Sequence, residues 1–187
     1  MKDIFEIRIH GRGGQGAKTA SQFIVEAALE KGKHIQSFPE YGPERAGAPM
    51  KAFARISDKQ ISTYAPVVNP DVVIVIDPTL LNSVDVTEGL LDNGILLVNT
   101  SSTPEEIKKK IKFNGKCMTV DATKISLEAV GKNLPNTPMI GALIKATNCI
   151  ELKDIEDSIK QKFLKKLGEL KTQATIDAVR KAHDEVQ

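Results

Sequence analysis

The order of elements along the 187-residue chain predicts an α/β fold on a mostly parallel sheet. Three observations carry that reading. A strand of alternating character runs into the glycine-rich segment HGRGGQG and then into an amphipathic helical pattern. Two short apolar runs, DVVIVI and GILLV, need cover on both faces, as central parallel strands do. Helical patterns recur between and after these runs, so strands and helices alternate.

In residues 4–9, Ile4, Glu6 and Arg8 alternate with Phe5, Ile7 and Ile9, the period of a strand. Over residues 17–31, Ala20, Phe23, Ile24, Ala27 and Ala28 fall three and four apart, which predicts a helix, with Gly32 closing it. Residues 34–38 read as a short second strand ended by Pro39. Residues 39–49, PEYGPERAGAP, hold three prolines and two glycines and predict an irregular loop. Residues 50–56 are a strand, 57–60 a turn, and 61–64 the expected hairpin mate. The run 71–76 is stopped by Asp77-Pro78, and 94–98 is a second buried strand. Thr103-Pro104-Glu105-Glu106 starts a helix, with Thr as N-cap, Pro in the first helical position and Glu two further on. Residues 116–120 form another strand. Leu127, Val130 and Leu134 mark a helix after it, and Thr137-Pro138 opens one through Met139, Leu143 and Ile144. From residue 152 the chain is Lys-rich and amphipathic, with Ile155, Ile159, Phe163, Leu167, Ile176 and Val179 on the apolar side. The expected organisation is a Rossmann-like domain over 1–150 with an inserted antiparallel hairpin, and a C-terminal helical extension over 151–187 packed on it.

Composition narrows the function. A formal charge of +2 is too balanced to make nucleic acid or an anionic membrane the main partner. No apolar run approaches the roughly 20 residues of a membrane helix. The N-terminus enters a charged, alternating strand with no signal-peptide pattern, so a cytoplasmic location is expected. Cys117 and Cys149 are too few and too far apart for a CxxC motif, a zinc knuckle or a four-thiolate iron–sulfur site, and are expected to be reduced, buried thiols.

Gly11-Arg12-Gly13-Gly14-Gln15-Gly16 satisfies G-x-G-x-x-G between a strand and a helix, the setting that motif requires. Glycines let a ligand approach the backbone, the helix start offers free N–H groups to an anion, and Arg12 can add a charge-assisted bond. The alternative is that the glycines only permit tight strand-to-helix packing. A dinucleotide reading needs an acidic residue after the second strand, for which Glu40 is the candidate. The loop and hairpin that follow, in place of a crossover helix, argue against it. In the second loop, Glu44 and Arg45 are held between prolines and glycines, and Tyr41 is placed to stack or hydrogen-bond. An internal Glu–Arg pair facing solvent is the alternative there. Asn136 and Thr137 stand at a helix start, as ligand groups or as an ordinary N-cap. His10, beside the glycine loop, is read as structural; His34 and His183 carry no site signal. The lysines at 108–110 and 160–166 are solvated faces or a docking surface for an acidic partner.

Taken together, HGRGGQG, FPEYGPERAGAPMKAFARIS and NTPMIGAL resemble the gamma subunits and domains of 2-oxoacid:ferredoxin oxidoreductases, over roughly residues 5 to 150. The second loop is nearer the pyruvate (pyruvate synthase) branch than the 2-oxoglutarate branch, and departs from it at Ala46. The resemblance implies a subunit inactive alone, in an enzyme that converts pyruvate, CoA and oxidised ferredoxin to acetyl-CoA, CO2 and reduced ferredoxin. It implies that thiamine diphosphate, Mg and [4Fe–4S] clusters sit on alpha, beta and delta partners. It also implies that this chain serves assembly and the CoA side of the active site. On that reading Gly11, Gly13, Gly14 and Gly16 shape the loop, Arg12 and Gln15 meet CoA or the neighbouring alpha subunit, and Tyr41, Glu44 and Arg45 face the active-site interface. Asn136 and Thr137 offer a second set of donors. The competing expectations are a gamma subunit for 2-oxoglutarate or branched-chain 2-oxoacids, a stand-alone dinucleotide-binding protein, and a scaffold that binds no ligand.

Overall fold

The computed structural model describes residues 3–41 and 47–187, with Tyr41 described by its backbone alone. One six-stranded sheet holds β1 (Ile4–Arg12), β2 (His34–Tyr41), β3 (Pro49–Ser57), β4 (Val72–Val75), β5 (Ile95–Asn99) and β6 (Lys116–Val120), in the order β2-β3-β1-β4-β5-β6. β1, β4, β5 and β6 are mutually parallel, and β3 runs antiparallel to both β1 and β2. The helices are α1 (Ala17–Glu30), α2 (Pro104–Ile111), α3 (Ala122–Val130), α4 (Pro138–Thr147), α5 (Leu152–Leu167) and α6 (Glu169–Glu185).

The expected α/β class and antiparallel insertion are present, but the hairpin is built differently. β3 pairs with β2, from Tyr41 opposite Met50 to His34 opposite Ser57, and residues 61–64 form no strand. Both edges of β3 are taken, by β1 and β2, so residues 61–64 have no ladder to join. β2 also runs on through Pro39, which an edge strand tolerates because one of its sides has no partner strand.

The central strands bury both faces, as their continuous apolar runs require. Val72 and Ile74 join Ile7, Ile9, Phe23 and Leu97 under α1 and α3 to α6. Val73 and Val75 join Leu80, Leu96, Val98 and Ile107 under α2 and the short turn at Pro78–Asn82. α2 starts with the expected capping box between Thr103 and Glu106. α4 is buried from Pro138 to Ile144, the state of a helix apolar on all sides. Gly141 lets it lie against α6, since a Cβ there would stand 2.0 Å from the Val179 carbonyl oxygen. The helical tail is two helices broken at Gly168, and Ile155, Ile159, Ile176 and Val179 belong to the main core. On α3 the buried face is Ala122, Ile125 and Ser126; Leu127 is exposed and so is Leu134 beyond the helix, against the expected stripe.

The other face of β1 and β3 buries two arginines, Arg8 and Arg55, beside Phe53. Buried Arg55 donates to Glu6 (2.8 Å), Gln36 (3.1 Å) and the Ala65 carbonyl (2.7 Å). Buried Arg8 donates to the Val86 carbonyl at 3.0 Å. These bonds tie the connections after β3 and β4 beneath the sheet. Among the described residues no helix is long and apolar enough to cross a membrane.

Candidate functional site

β1 ends inside the glycine motif, at Arg12. The Gln15 N–H then donates to the Arg12 carbonyl (3.0 Å), closing a tight turn, and Gly13 donates to the Ala48 carbonyl (3.0 Å). Gly16 is the N-cap of α1 at φ 81°, and no side chain caps that helix. A Cβ on Gly16 would stand 2.7 Å from Asn136 Nδ2. Glycine is therefore required twice over here, for its dihedral and for the close approach of the α4 start.

The loop has two sides with different chemistry. On one side lies the crevice at the carboxyl ends of β1 and β4. There the chain leaves β1 through α1 and leaves β4 toward β5, the arrangement that leaves room for a nucleotide in doubly wound folds. In this chain its own side chains fill it. Arg12 Nε meets Asp77 Oδ2 at 3.0 Å, and its other nitrogens donate to Thr79 Oγ1 (2.9 Å) and the Gly47 carbonyl (3.2 Å). Gln15 donates to Asp77 Oδ2 at 2.7 Å while its own oxygen accepts from the Arg12 N–H at 2.7 Å. Asp77 Oδ1 accepts from Thr79 N (2.9 Å) and Oγ1 (2.6 Å). Burial works against ionisation of Asp77, but the bonds from Thr79 and Gln15 and the charge of Arg12 outweigh it and hold its carboxyl below the usual range. β3 also stands between β1 and β2, which moves Glu40 two strand spacings, about 10 Å, from β1.

On the other side is an open pocket of about 400 Å³. Gly14, Gln15 and Gly16 meet Asn136 and Thr137 there, so the starts of α1 and α4 converge. Asn136 and Thr137 are only 7% and 9% exposed, yet neither side chain has a hydrogen-bond partner among the described residues, and Thr137 does not cap its own helix. The far wall is Phe163 and Leu167 of α5 and Lys171, Thr175 and Ala178 of α6, with Val130, Lys132 and Leu134 below. Among its described lining residues Lys132 and Lys171 are the charged groups, and none is a carboxylate. Two other cavities mix signs: Asp121 and Glu128 with Lys124 and Lys181 in one, Glu30 and Asp154 with Lys31 and Lys160 in the other.

The structure thus brings together Gly14, Gln15, Gly16, Asn136 and Thr137. Gly11 stays in β1, Gly13 is pinned to Ala48, and Arg12 is turned to Asp77, outside the pocket. Glu44, Arg45 and the Tyr41 side chain lie outside the described residues. The end of their loop is nonetheless tied to the glycine loop through Gly47 and Ala48. Sequence reasoning missed Asp77, Lys132, Phe163, Leu167 and Lys171. Asp77 read only as a strand terminator, and the tail residues read as core stripe or solvated face; nothing in the sequence sets them opposite residue 16.

His10 is buried under the loop with Nε2 unpartnered, and burial, Arg8 and Lys51 push its pKa down to about 3. Burial pushes the Cys117 thiol up to about 11 and raises that of Cys149, which is less buried than expected; neither is poised as a thiolate. Among the described residues no cluster of His, Cys, Asp and Glu is arranged to hold a metal.

This is an α/β domain whose glycine loop borders a crevice filled by Arg12, Gln15 and Asp77 on one side and, on the other, an open pocket with no carboxylate among its described lining residues. The chain belongs to the pyruvate ferredoxin/flavodoxin oxidoreductase family, whose model matches residues 6–185. It is 52% identical over 186 residues to the pyruvate synthase subunit PorC of Thermotoga maritima, covering 100% of this chain and 96% of that one. It is 48% identical over 179 residues to the pyruvate/ketoisovalerate oxidoreductases common subunit gamma of Thermococcus kodakarensis, covering 95% and 97%. The crystal structure of the Thermotoga maritima subunit superposes with a TM-score of 0.91 at 50% identity, over 100% of this chain and 98% of that one. A 2-oxoglutarate:ferredoxin oxidoreductase from Magnetococcus marinus shares the fold at a TM-score of 0.80 and 19% identity, with 98% of this chain on 31% of that one.

Proposed function

We propose that this chain is the gamma subunit of a multi-subunit pyruvate:ferredoxin oxidoreductase and completes the CoA side of its active site. The enzyme would convert pyruvate, CoA and oxidised ferredoxin to acetyl-CoA, CO2 and reduced ferredoxin. The alpha, beta and delta partners would carry the thiamine diphosphate, Mg and [4Fe–4S] clusters that perform decarboxylation and electron transfer. The name of the Thermotoga relative supports pyruvate as substrate, and that of the Thermococcus relative keeps branched-chain 2-oxoacids within reach of the same gamma chain.

One observation supports the ligand assignment: a pocket with no carboxylate among its described lining residues, bordered by the start of α1, into which the side chains of Asn136 and Thr137 open without a protein partner among the described residues. The start of α1 and the lysines favour a phosphate, and the Phe163–Leu167 wall favours an apolar stem. CoA offers both, and the pocket takes one end of it. Asn136 and Thr137 would bind and orient that end, Gln15 and the loop backbone would form the floor, and Lys132 and Lys171 would hold the charge. Arg12 serves by fixing the loop.

The test uses the assembled enzyme carrying Asn136→Ala. The KM for CoA should rise about tenfold, the loss of one hydrogen bond to a charged or buried partner. The KM for pyruvate should stay unchanged. An unaltered KM for CoA, or tight one-to-one binding of NADH by the purified chain, would overturn the assignment.

A further inference from the structure

We infer that Asp77 is a positioning residue for the acyl-acceptor pocket, holding the Gln15 side chain and the turn of the glycine loop in the geometry the pocket needs. The inference rests on the pocket assignment above and extends it to a residue on the far side of the loop. Asp77 does not line the pocket; Gln15 does.

The connection is a chain of short bonds. Gln15 is held at both ends of its amide, the oxygen accepting from the Arg12 N–H and the nitrogen donating to Asp77, each at 2.7 Å. A flipped amide would set its nitrogen against an N–H and its oxygen against a carboxylate. Its orientation is therefore dictated. Asp77 is itself immobilised by Thr79 through Oδ1 and by Arg12 through Oδ2, and its side chain is 11% exposed. Thr79 also accepts from Arg12, so the turn after β4 and the turn after β1 are locked as one unit. Gly14 and Gly16, on either side of Gln15, form part of the pocket floor. A charged hub that anchors the residue between them sets where the backbone N–H groups point. Positioning of this kind matters most where a ligand is held by backbone donors, since those cannot repack by changing rotamer.

The assembled enzyme carrying Asp77→Asn tests it. The KM for CoA should rise about tenfold. The KM for pyruvate and the rate of the CoA-independent decarboxylation half-reaction should stay as they are. In a Gln15→Ala background the same substitution should add less than about twofold, because the effect runs through Gln15. A merely structural role would move both KM values together, or would multiply in full with Gln15→Ala; either result overturns the inference. So does a KM for CoA unchanged by Asp77→Asn in an enzyme that Asn136→Ala impairs, which leaves the pocket assignment standing. If neither variant moves that KM, the pocket assignment falls first. Should Asp77→Asn fail to assemble, Thr79→Val removes the hydroxyl that bonds both Asp77 and Arg12. It should raise the KM for CoA about threefold, and no rise there counts equally against the inference.

Discussion

The same six-residue loop borders two spaces that differ in how their polar groups are paired. In the crevice between β1 and β4, Arg12, Gln15, Asp77 and Thr79 bond one another. In the pocket between the starts of α1 and α4, the side chains of Asn136 and Thr137 have no partner among the described residues, and none of those residues caps either helix start with its side chain. A glycine motif marks where backbone can meet an anion; the hydrogen-bond inventory tells which side has its side chains paired with one another and which leaves them open to a ligand.

The sharpest way to break the contrast is Gly16→Ala, which attacks the wall shared by loop and pocket. The left-handed dihedral and the encounter with Asn136 together should cost about 2–4 kcal/mol, read from the denaturant midpoint of the purified subunit. A loss under about 1 kcal/mol would show that the α4 start yields and that the close approach is not enforced.

On the closed side, pH is the probe. The His10 pKa is lowered to about 3 by burial, by Arg8 and by Lys51, while the unfolded chain has an ordinary imidazole near 6.5. Between those values the unfolded state binds the extra proton, so stability falls as pH falls through that window. His10→Gln should remove about 2 kcal/mol of the loss between pH 7 and 5. Equal slopes in wild type and variant would mean that the space beneath the loop is wet. Asp77 works in a separate range: its depressed carboxyl stabilises the fold above about pH 4 and that contribution is lost only below.

The smallest effect belongs to the lysines at the pocket mouth. Lys132→Gln with Lys171→Gln should raise the KM for CoA about threefold to tenfold at low salt and by less at high salt, because charges open to solvent are screened. A rise that salt leaves unchanged would point to lost packing of the lysine stems instead.

Much of this was legible in residue order alone. The alternating first strand, the two continuous apolar runs, the capping box at Thr103 and the α4 opened by Thr137-Pro138 each appear where their period and flanking residues place them, because those signals are local. Strand pairing was not. Residues 61–64 have the pattern of a hairpin mate, yet β2 took that edge, and partner choice depends on the whole sheet. Half the site was legible for the same local reason: Gly14 to Gly16 and Asn136-Thr137 stand at helix starts, which sequence marks. The other half comes from α5, α6 and the turn after β4, whose Leu167, Lys171 and Asp77 look like stripe, solvated face and strand stop.

What the sequence determined by itself was therefore the set of elements, their order and the presence of a glycine-rich turn ahead of a helix start, since each follows from local spacing. Only the tertiary structure decided that Arg12 turns away to Asp77, that Gly16 lies on Asn136, and that the tail walls the pocket. Those contacts join residues from 65 to more than 100 positions apart. Which of them form is settled by packing helices on a finite sheet with every buried polar group seeking a partner, a condition no local pattern encodes.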